Sequence, residues 1–477
     1  MAAARSVCAH VCARSVTAEQ PGPVRRRVKR VSASASAVDH VTPYDRFAWS
    51  DTQIEEWLAS GAQREALGDY FGPAEYRSMV ALARRARTAP LNADAPRVLI
   101  VPGIMGSQLG LTRPAPLPND IVWLDPMDIQ LGRLGVLRLP AGAPIVPLGA
   151  VLFSYLRLKL YLRAAGFAVE FHDYDWRLPV AESGRALAEK LRAARPARCA
   201  LVAHSMGGLV SRAALALPAT DHVERLVLLG TPNGGSFAAV QAVRGTYAVV
   251  RRVARLATDA SAESLAAEIF STFPSLYELL PAGPGAGDTD LFDEHAWPTS
   301  GPRPRAALLQ QARALHGQLA SADGRFAVIA GVGVATVTAI ARRGDEFLYT
   351  VTRRGDGTVP AASAELPGTR CAYAARVAHS DLTRDPRVAA AVVDLLRHGL
   401  TRRLPGRWAS SSRARARVSD RELRRTQVDK VDWGALTPTE RRLFLQNLNE
   451  PPHLRLRVPG AAARGAHSPR RARRRTA

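Results

Sequence analysis

Short, unbroken apolar runs punctuate the middle of the chain, and several are stopped by Gly or Pro. Arg97-Val-Leu-Ile-Val101 ends at Pro102-Gly103, and Val223–Leu229 ends at Gly230-Thr-Pro232. Continuous runs of this length are how strands buried on both faces of a parallel sheet read. Phe167–His172 and Cys199–His204 have the same character. Each leads to a stretch of helical period, near Val180–Ala194 and from Ser205 to about Leu217. Phe326–Ala330, Phe347–Val351 and Ala372–Val377 continue the series, and a last helix is expected from about Pro386 to His398. Strands alternating with helices predict an α/β fold, a mostly parallel central sheet with helices on both faces.

The flanks follow other periods. Over 51–88, Trp57, Leu58, Leu67, Tyr70, Phe71, Tyr76, Met79 and Leu82 recur near helical spacing, with Asp51 and Ser60 placed as N-caps. This predicts a helical N-terminal extension over 46–92. Between Gly234 and Trp297 the strand signal vanishes and helical segments dominate, closing on the Gly/Pro/Asp-rich stretch Pro281–Asp290. That pattern predicts a helical cap or lid, about 234–300, inserted into a catalytic unit of 93–400. Further on, Thr437-Pro-Thr-Glu440 reads as a capping box opening one short helix near 437–449, with Phe444, Leu445 and Leu448 as its apolar side.

Composition changes this picture only at the ends. The 477 residues are 47% hydrophobic and 22% charged, which excludes a wholly disordered or collagen-like chain. The net charge of +23 is carried almost wholly by Arg, with Lys only at 29, 159, 190 and 430. Residues 1–37 hold +6 and residues 402–477 hold +14, leaving +3 for the body. Residues 1–45 therefore read as a disordered basic tail and 401–477 as a basic extension. Such ends suit contact with an anionic membrane, binding to nucleic acid, or plain solvation. A GC-rich coding sequence produces the same Arg bias, and nucleic acid is not the expected partner.

The 4 cysteines do not make a disulfide framework. Cys8 and Cys12 lie in the tail, while Cys199 and Cys371 are expected to be reduced core residues. No metal-ligand spacing is present, so neither metal nor cofactor is expected. His10 and Arg14 interrupt the N-terminal apolar stretch, so no secretory signal is expected. The longest apolar stretch, Ala143–Leu156, contains Pro144 and Pro147 and is too short to span a bilayer. The expected location is cytoplasmic or peripheral to a membrane.

The chemistry gathers at Ala203-His-Ser-Met-Gly207, a G-x-S-x-G-type turn with Ala at its first position, between a buried strand and a helix. Such a turn is tight enough to require small residues two before and two after the Ser. It holds the hydroxyl at a helix N-terminus, where free N–H groups can stabilise an oxyanion. A Ser hydroxyl needs a base, and the base an orienting acid, in the order Ser, Asp/Glu, His for this kind of fold. Gly355-Asp-Gly-Thr-Val-Pro360 supplies Asp356, and Val377-Ala-His-Ser-Asp-Leu382 supplies His379 at the end of a strand. His204, adjacent to the Ser but expected to point off the turn, Asp381 and Asp175 fit the order less well. The loop Pro102-Gly-Ile-Met-Gly-Ser107 is placed to give a second oxyanion N–H.

Together with Trp123-Leu-Asp-Pro126, Tyr174-Asp-Trp-Arg-Leu178 and Leu229-Gly-Thr-Pro-Asn-Gly-Gly-Ser236, these motifs cover roughly residues 95–400. The chain in this range resembles the lecithin:cholesterol acyltransferase family of α/β-hydrolases, which includes phospholipid:diacylglycerol acyltransferases and lysosomal phospholipase A. The resemblance implies Ser205 as nucleophile, Asp356 as acid and His379 as base. It implies the Ile104 and Met206 backbone N–H groups as the oxyanion hole, and a lid after Asn233. Trp123 is a candidate either for the substrate cleft or for the core. The expected activity is acyl transfer from a lipid ester through an acyl-serine. A phospholipase A or lipase using water is the alternative, and a basic-tailed binding protein with a vestigial hydrolase body is the second.

Overall fold

The computed structural model describes residues 49–448, apart from 90–94, 116, 196, 283–288, 407–414 and 426–428. The expected basic tail, Cys8, Cys12 and the stretch beyond residue 448 lie outside the described residues.

The strands are β1 (Arg97–Val101), β2 (Ser107–Leu111), β3 (Asp120–Trp123), β4 (Val146–Ala150), β5 (Ala168–Phe171), β6 (Cys199–His204), β7 (Val223–Leu229), β8 (Phe326–Gly331), β9 (Thr336–Arg343), β10 (Glu346–Thr352), β11 (Cys371–Ala375) and β12 (Ala416–Ser419). The central sheet runs β11-β8-β7-β6-β1-β5, and every pairing in it is parallel. Its middle strands are the unbroken apolar runs: Ile100, Leu201, Val202 and Leu228 are fully buried. Helices flank this sheet. The helix Val180–Ala193 packs along Met206–Leu215, and Pro386–His398 packs on Leu152–Ala164.

Two strand expectations need correction. The Phe347–Val351 run forms β10, but not in the parallel sheet. It pairs antiparallel with β9 and β12 in a separate sheet. The β9–β10 hairpin turns on Gly344 at φ 61°, and Asp345 then fixes the loop by accepting the Thr299 and Ser300 N–H groups. The second correction concerns the C-terminus. Within the expected basic extension, β12 completes this small sheet. Asp420, 1% exposed at its side chain, meets Arg244, which is 0% exposed, in the cap region. A four-residue strand inside an Arg-rich run carries no hydrophobic signal, because its pairing is supplied by the partner strand. A further antiparallel sheet, β3-β2-β4, was also not anticipated.

The N-terminal extension is helical, as Asp51–Ser60, Arg64–Phe71 and Pro73–Thr88. Its N-cap is Ser50, whose hydroxyl accepts the Gln53 N–H, not Asp51. Ser60 ends the first helix instead of starting one, because Gly61 at φ 87° provides its left-handed cap. The extension is tied down by the buried Lys159, whose ammonium lies 2.7 Å from Glu55. The stretch expected to form a cap holds the helices Phe237–Val243, Ala248–Leu256, Ala262–Glu268 and Pro274–Glu278. The capping box at Thr437 and Glu440 is closed in both directions, and starts the helix Pro438–Leu448. Cys199 is buried, whereas Cys371 is only half-buried; neither is paired. No described helix is long and apolar enough to cross a membrane.

Candidate active site

Between β6 and the helix Met206–Leu215 stands one residue, Ser205, at φ 53° and ψ −129°. A non-glycine residue there costs on the order of 1–3 kcal/mol, and such strain gathers at functional sites. The crowding around it explains the small residues that the sequence places nearby. A Cβ on Gly207 would strike the Val101 and Pro102 carbonyls, and one on Gly208 would strike Thr231. One on Gly103 would stand 2.8 Å from the Ser205 Cβ.

Asp356 and His379 come from different sheets and meet. The His379 Nδ1 lies 2.8 Å from the Asp356 Oδ2. The other carboxylate oxygen accepts the Thr358 and Val359 N–H groups at 2.9 and 2.7 Å, and a bridge between Gly355 and Pro360 closes the loop. The His379 backbone N–H donates to the Asp356 carbonyl at 2.9 Å. An Nδ1–H held by the carboxylate leaves Nε2 free to accept a proton. Ser205 and His379 both line a cavity of about 90 Å³. No hydrogen bond joins the two side chains among the described residues, the looser spacing common for unliganded nucleophile–base pairs.

Ile104 lines the same cavity, and Met206 opens the helix beside it. Among the described residues, neither amide has an acceptor. The loop carrying Ile104 is braced from below. Met105 sits at φ 61°, and its carbonyl accepts the Trp123 indole N–H at 3.2 Å. Tyr174 donates its hydroxyl to the Pro102 carbonyl at 2.9 Å, and Trp176 donates to the Ser107 carbonyl at 3.0 Å. The Tyr-Asp-Trp-Arg motif is therefore a brace for this loop. Asp175 forms an ion pair with the buried Arg177 at 2.6 Å and takes no part at Ser205. Asp381 faces Arg384 at 4.0 Å.

The structure decides between the two places left open for Trp123 and changes the one expected for His204. Trp123 is fully buried, stacks edge-on with Trp176 and Phe270, and does not line the cavity; its place is the core under the loop. His204 does not point away from the site. His204 is among the residues lining the cavity, and its ring stands 4.7 Å from the His379 ring between centroids. Tyr155, on the helix after β4, also lines the cavity. Nothing in the sequence flagged it, since its helix carries three aromatics, Phe153, Tyr155 and Tyr161, and no motif singles one of them out.

The remaining walls are mainly apolar, including Ala238, Ala239 and Ala242 on the helix Phe237–Val243, with Leu276 and Leu279, and carry the hydroxyl side chains of Tyr247, Thr358 and Thr383. Among the described residues, no Lys, Arg, Asp or Glu lines the cavity.

A parallel sheet whose central strand ends in a strained Ser, with an Asp–His pair delivered by later loops in that order, decides the architecture. The fold is that of the α/β hydrolases. A family profile described as a PGAP1-like alpha/beta domain matches residues 185–271, which span β6, the Ser205 turn, β7 and the first cap helices of this hydrolase fold. Solved structures similar to the chain include the mature lipase BlEst2 of Bacillus licheniformis, at 15% identity over 65% of this chain and 93% of that one, with a TM-score of 0.32. The Tle4–Tli4 complex shares 15% identity over 66% of this chain and 100% of the other, with a TM-score of 0.38. A hydrolase of Pseudomonas aeruginosa shares 19% over 64% and 92%, with a TM-score of 0.28. These scores are low, and the fold rests on the sheet order and the Ser205 turn, not on the neighbours. No curated protein matches the chain.

Proposed function

We propose that the protein is a serine-dependent enzyme acting on lipid esters through an acyl-serine intermediate. The observation that carries this reading is the convergence on one apolar cavity of Ser205, in its strained turn, and His379, held by Asp356 at 2.8 Å. In the first half-reaction, the Ser205 Oγ forms a bond to the ester carbonyl carbon while His379 Nε2 takes its proton. The tetrahedral oxyanion is held by the Ile104 and Met206 N–H groups. The C–O bond then breaks, and the alcohol leaves with the proton from His379. In the second half-reaction, water or another alcohol attacks the acyl carbon, and Ser205 leaves with its proton restored.

The lining favours a neutral, apolar acyl group, since its described residues present no Lys, Arg, Asp or Glu side chain. A cavity of about 90 Å³ is smaller than the roughly 300 Å³ at which ligand pockets begin. The cap segment around Ala238 and Leu276 has to yield for a long chain to enter. Acyl transfer to an alcohol is the finer reading, because an apolar, closed site keeps water away from the acyl-serine.

Labelling with a fluorophosphonate tests the site: the wild type reacts at Ser205 and Ser205→Ala does not. Undiminished labelling of the variant overturns the assignment. Lipid product analysis from mixed phospholipids, with and without a long-chain alcohol, then separates the two acceptors. Transfer gives a new ester, and hydrolysis gives only free fatty acid.

A further inference from the structure

The three loops of the candidate site come from separate parts of the chain, and one continuous chain of hydrogen bonds runs between them. Gly103, in the loop after β1, donates its backbone N–H to the Tyr155 hydroxyl at 2.9 Å. That hydroxyl lies 3.0 Å from Nδ1 of His204, and Nε2 of His204 lies 3.1 Å from the backbone carbonyl of His379. Both side chains are shielded, Tyr155 at 3% exposure and His204 at 7%.

The polarity of this chain follows from its ends. A carbonyl only accepts, so Nε2 of His204 carries the proton. A neutral imidazole then offers Nδ1 as an acceptor, and the Tyr155 hydroxyl, which already accepts from Gly103, donates to it. Burial and the nearby His379 hold the His204 pKa well below the ordinary histidine range, in keeping with that single tautomer. Every polar group in the chain is satisfied once. No acid or water has to be added.

The consequence is geometric. The main chain of His379 is gripped on both sides, its N–H by the Asp356 carbonyl and its carbonyl by His204. The amide of Gly103, next to the oxyanion candidate Ile104, is gripped by Tyr155. A Cβ at Gly106 would stand 2.7 Å from the Tyr155 oxygen, so the loop lies close on this hydroxyl. We propose that Tyr155 and His204 are positioning residues, which fix the distance between the oxyanion loop and the base His379 across the Ser205 turn. The proposal rests on the ester-enzyme reading above. Neither residue exchanges a proton with substrate in it.

A misplacement near 1 Å costs on the order of 100-fold in rate. Tyr155→Phe keeps the ring and removes the link, and His204→Phe removes both contacts of the imidazole. Each is expected to lower kcat for a soluble p-nitrophenyl ester by about 10- to 100-fold, counted per fluorophosphonate-reactive Ser205, with KM little changed. His204→Gln, which keeps an N–H donor near the Nε2 position, is expected to recover most of the loss. A merely structural role would lower melting temperature and the fraction of reactive serine, but leave kcat per reactive serine as in the wild type. That result in folded Tyr155→Phe overturns the proposal.

A second arm needs no turnover. In ¹⁵N-histidine spectra the His204 resonances should show Nε2 protonated and Nδ1 bare, and Tyr155→Phe should shift those of His379. Unshifted His379 resonances also overturn the coupling. If the wild type fails to label at Ser205, the ester-enzyme reading falls, and the spectra alone decide whether the two loops are coupled.

Discussion

Asp420 lies in an Arg-rich stretch, yet it should be among the residues whose loss costs the fold most. Its carboxylate accepts Nε of Arg244 at 2.9 Å and the Tyr349 hydroxyl at 2.6 Å. The other Arg244 nitrogens reach the Pro302 and Ser300 carbonyls at 2.6 and 2.7 Å. Asp420→Ala leaves a fully buried guanidinium with only carbonyl partners, and a buried phenol without its acceptor. Removing one member of a buried pair costs about 3–5 kcal/mol, a large part of a total stability of roughly 5–15 kcal/mol. With an unfolding entropy of about 2.1 cal/mol/K per residue, a chain of this size should lose about 3–5 °C of melting temperature. The double replacement Arg244→Met with Asp420→Leu removes both charges and should recover most of that loss. Thermal unfolding followed by circular dichroism reads both. If Asp420→Ala melts with the wild type, within about 1 °C, the reasoning that joins the C-terminal segment to the cap is refuted.

Other expectations can be checked as directly. Asp356→Asn should lower kcat on the order of 10³- to 10⁴-fold with KM retained, because the amide no longer holds the Nδ1–H tautomer of His379; steady-state kinetics decides it. Gly207→Ala places a methyl against the Val101 and Pro102 carbonyls and should abolish fluorophosphonate labelling in protein that is still folded. Ala239→Leu narrows the cavity from the cap side and should suppress turnover of long-chain esters more than short-chain ones, measured as the kcat/KM ratio across chain lengths. Glu278 accepts the Val180 N–H at 2.7 Å, and burial pushes its carboxyl up to about 7. A raised acid favours the folded state below its unfolded pKa, and that contribution, about 3 kcal/mol, is lost as pH rises from about 4.5 to 7. Glu278→Gln should flatten the melting-temperature profile over that window; an unchanged slope removes Glu278 as its cause.

The parallel strands, the Ser205 turn and the loop motifs around Asp356 and His379 were legible in the chain because each is local. An apolar run stopped by Pro102-Gly103, or a Ser followed by Gly207-Gly208, carries its own physical reason within a few residues. The capping box at Thr437 was legible for the same reason. What failed was whatever a distant partner supplies. Strand β12 has no pattern of its own; its backbone is satisfied by β10, and its Asp420 by an Arg far earlier in the chain. The run that became β10 looked like a central strand, but period and burial do not say which sheet a strand joins. Trp123 and His204 are the clearest cases. A Trp beside a motif and a His beside a nucleophile read alike whether they line a cleft or brace one. The indole N–H on the Met105 carbonyl and the imidazole between Tyr155 and His379 settle their places only in three dimensions, since each bond spans segments the sequence leaves unrelated. By itself the sequence determined the elements and the chemical groups. The packing of distant segments decided which groups face one another, because buried polar atoms must find partners wherever the fold brings them.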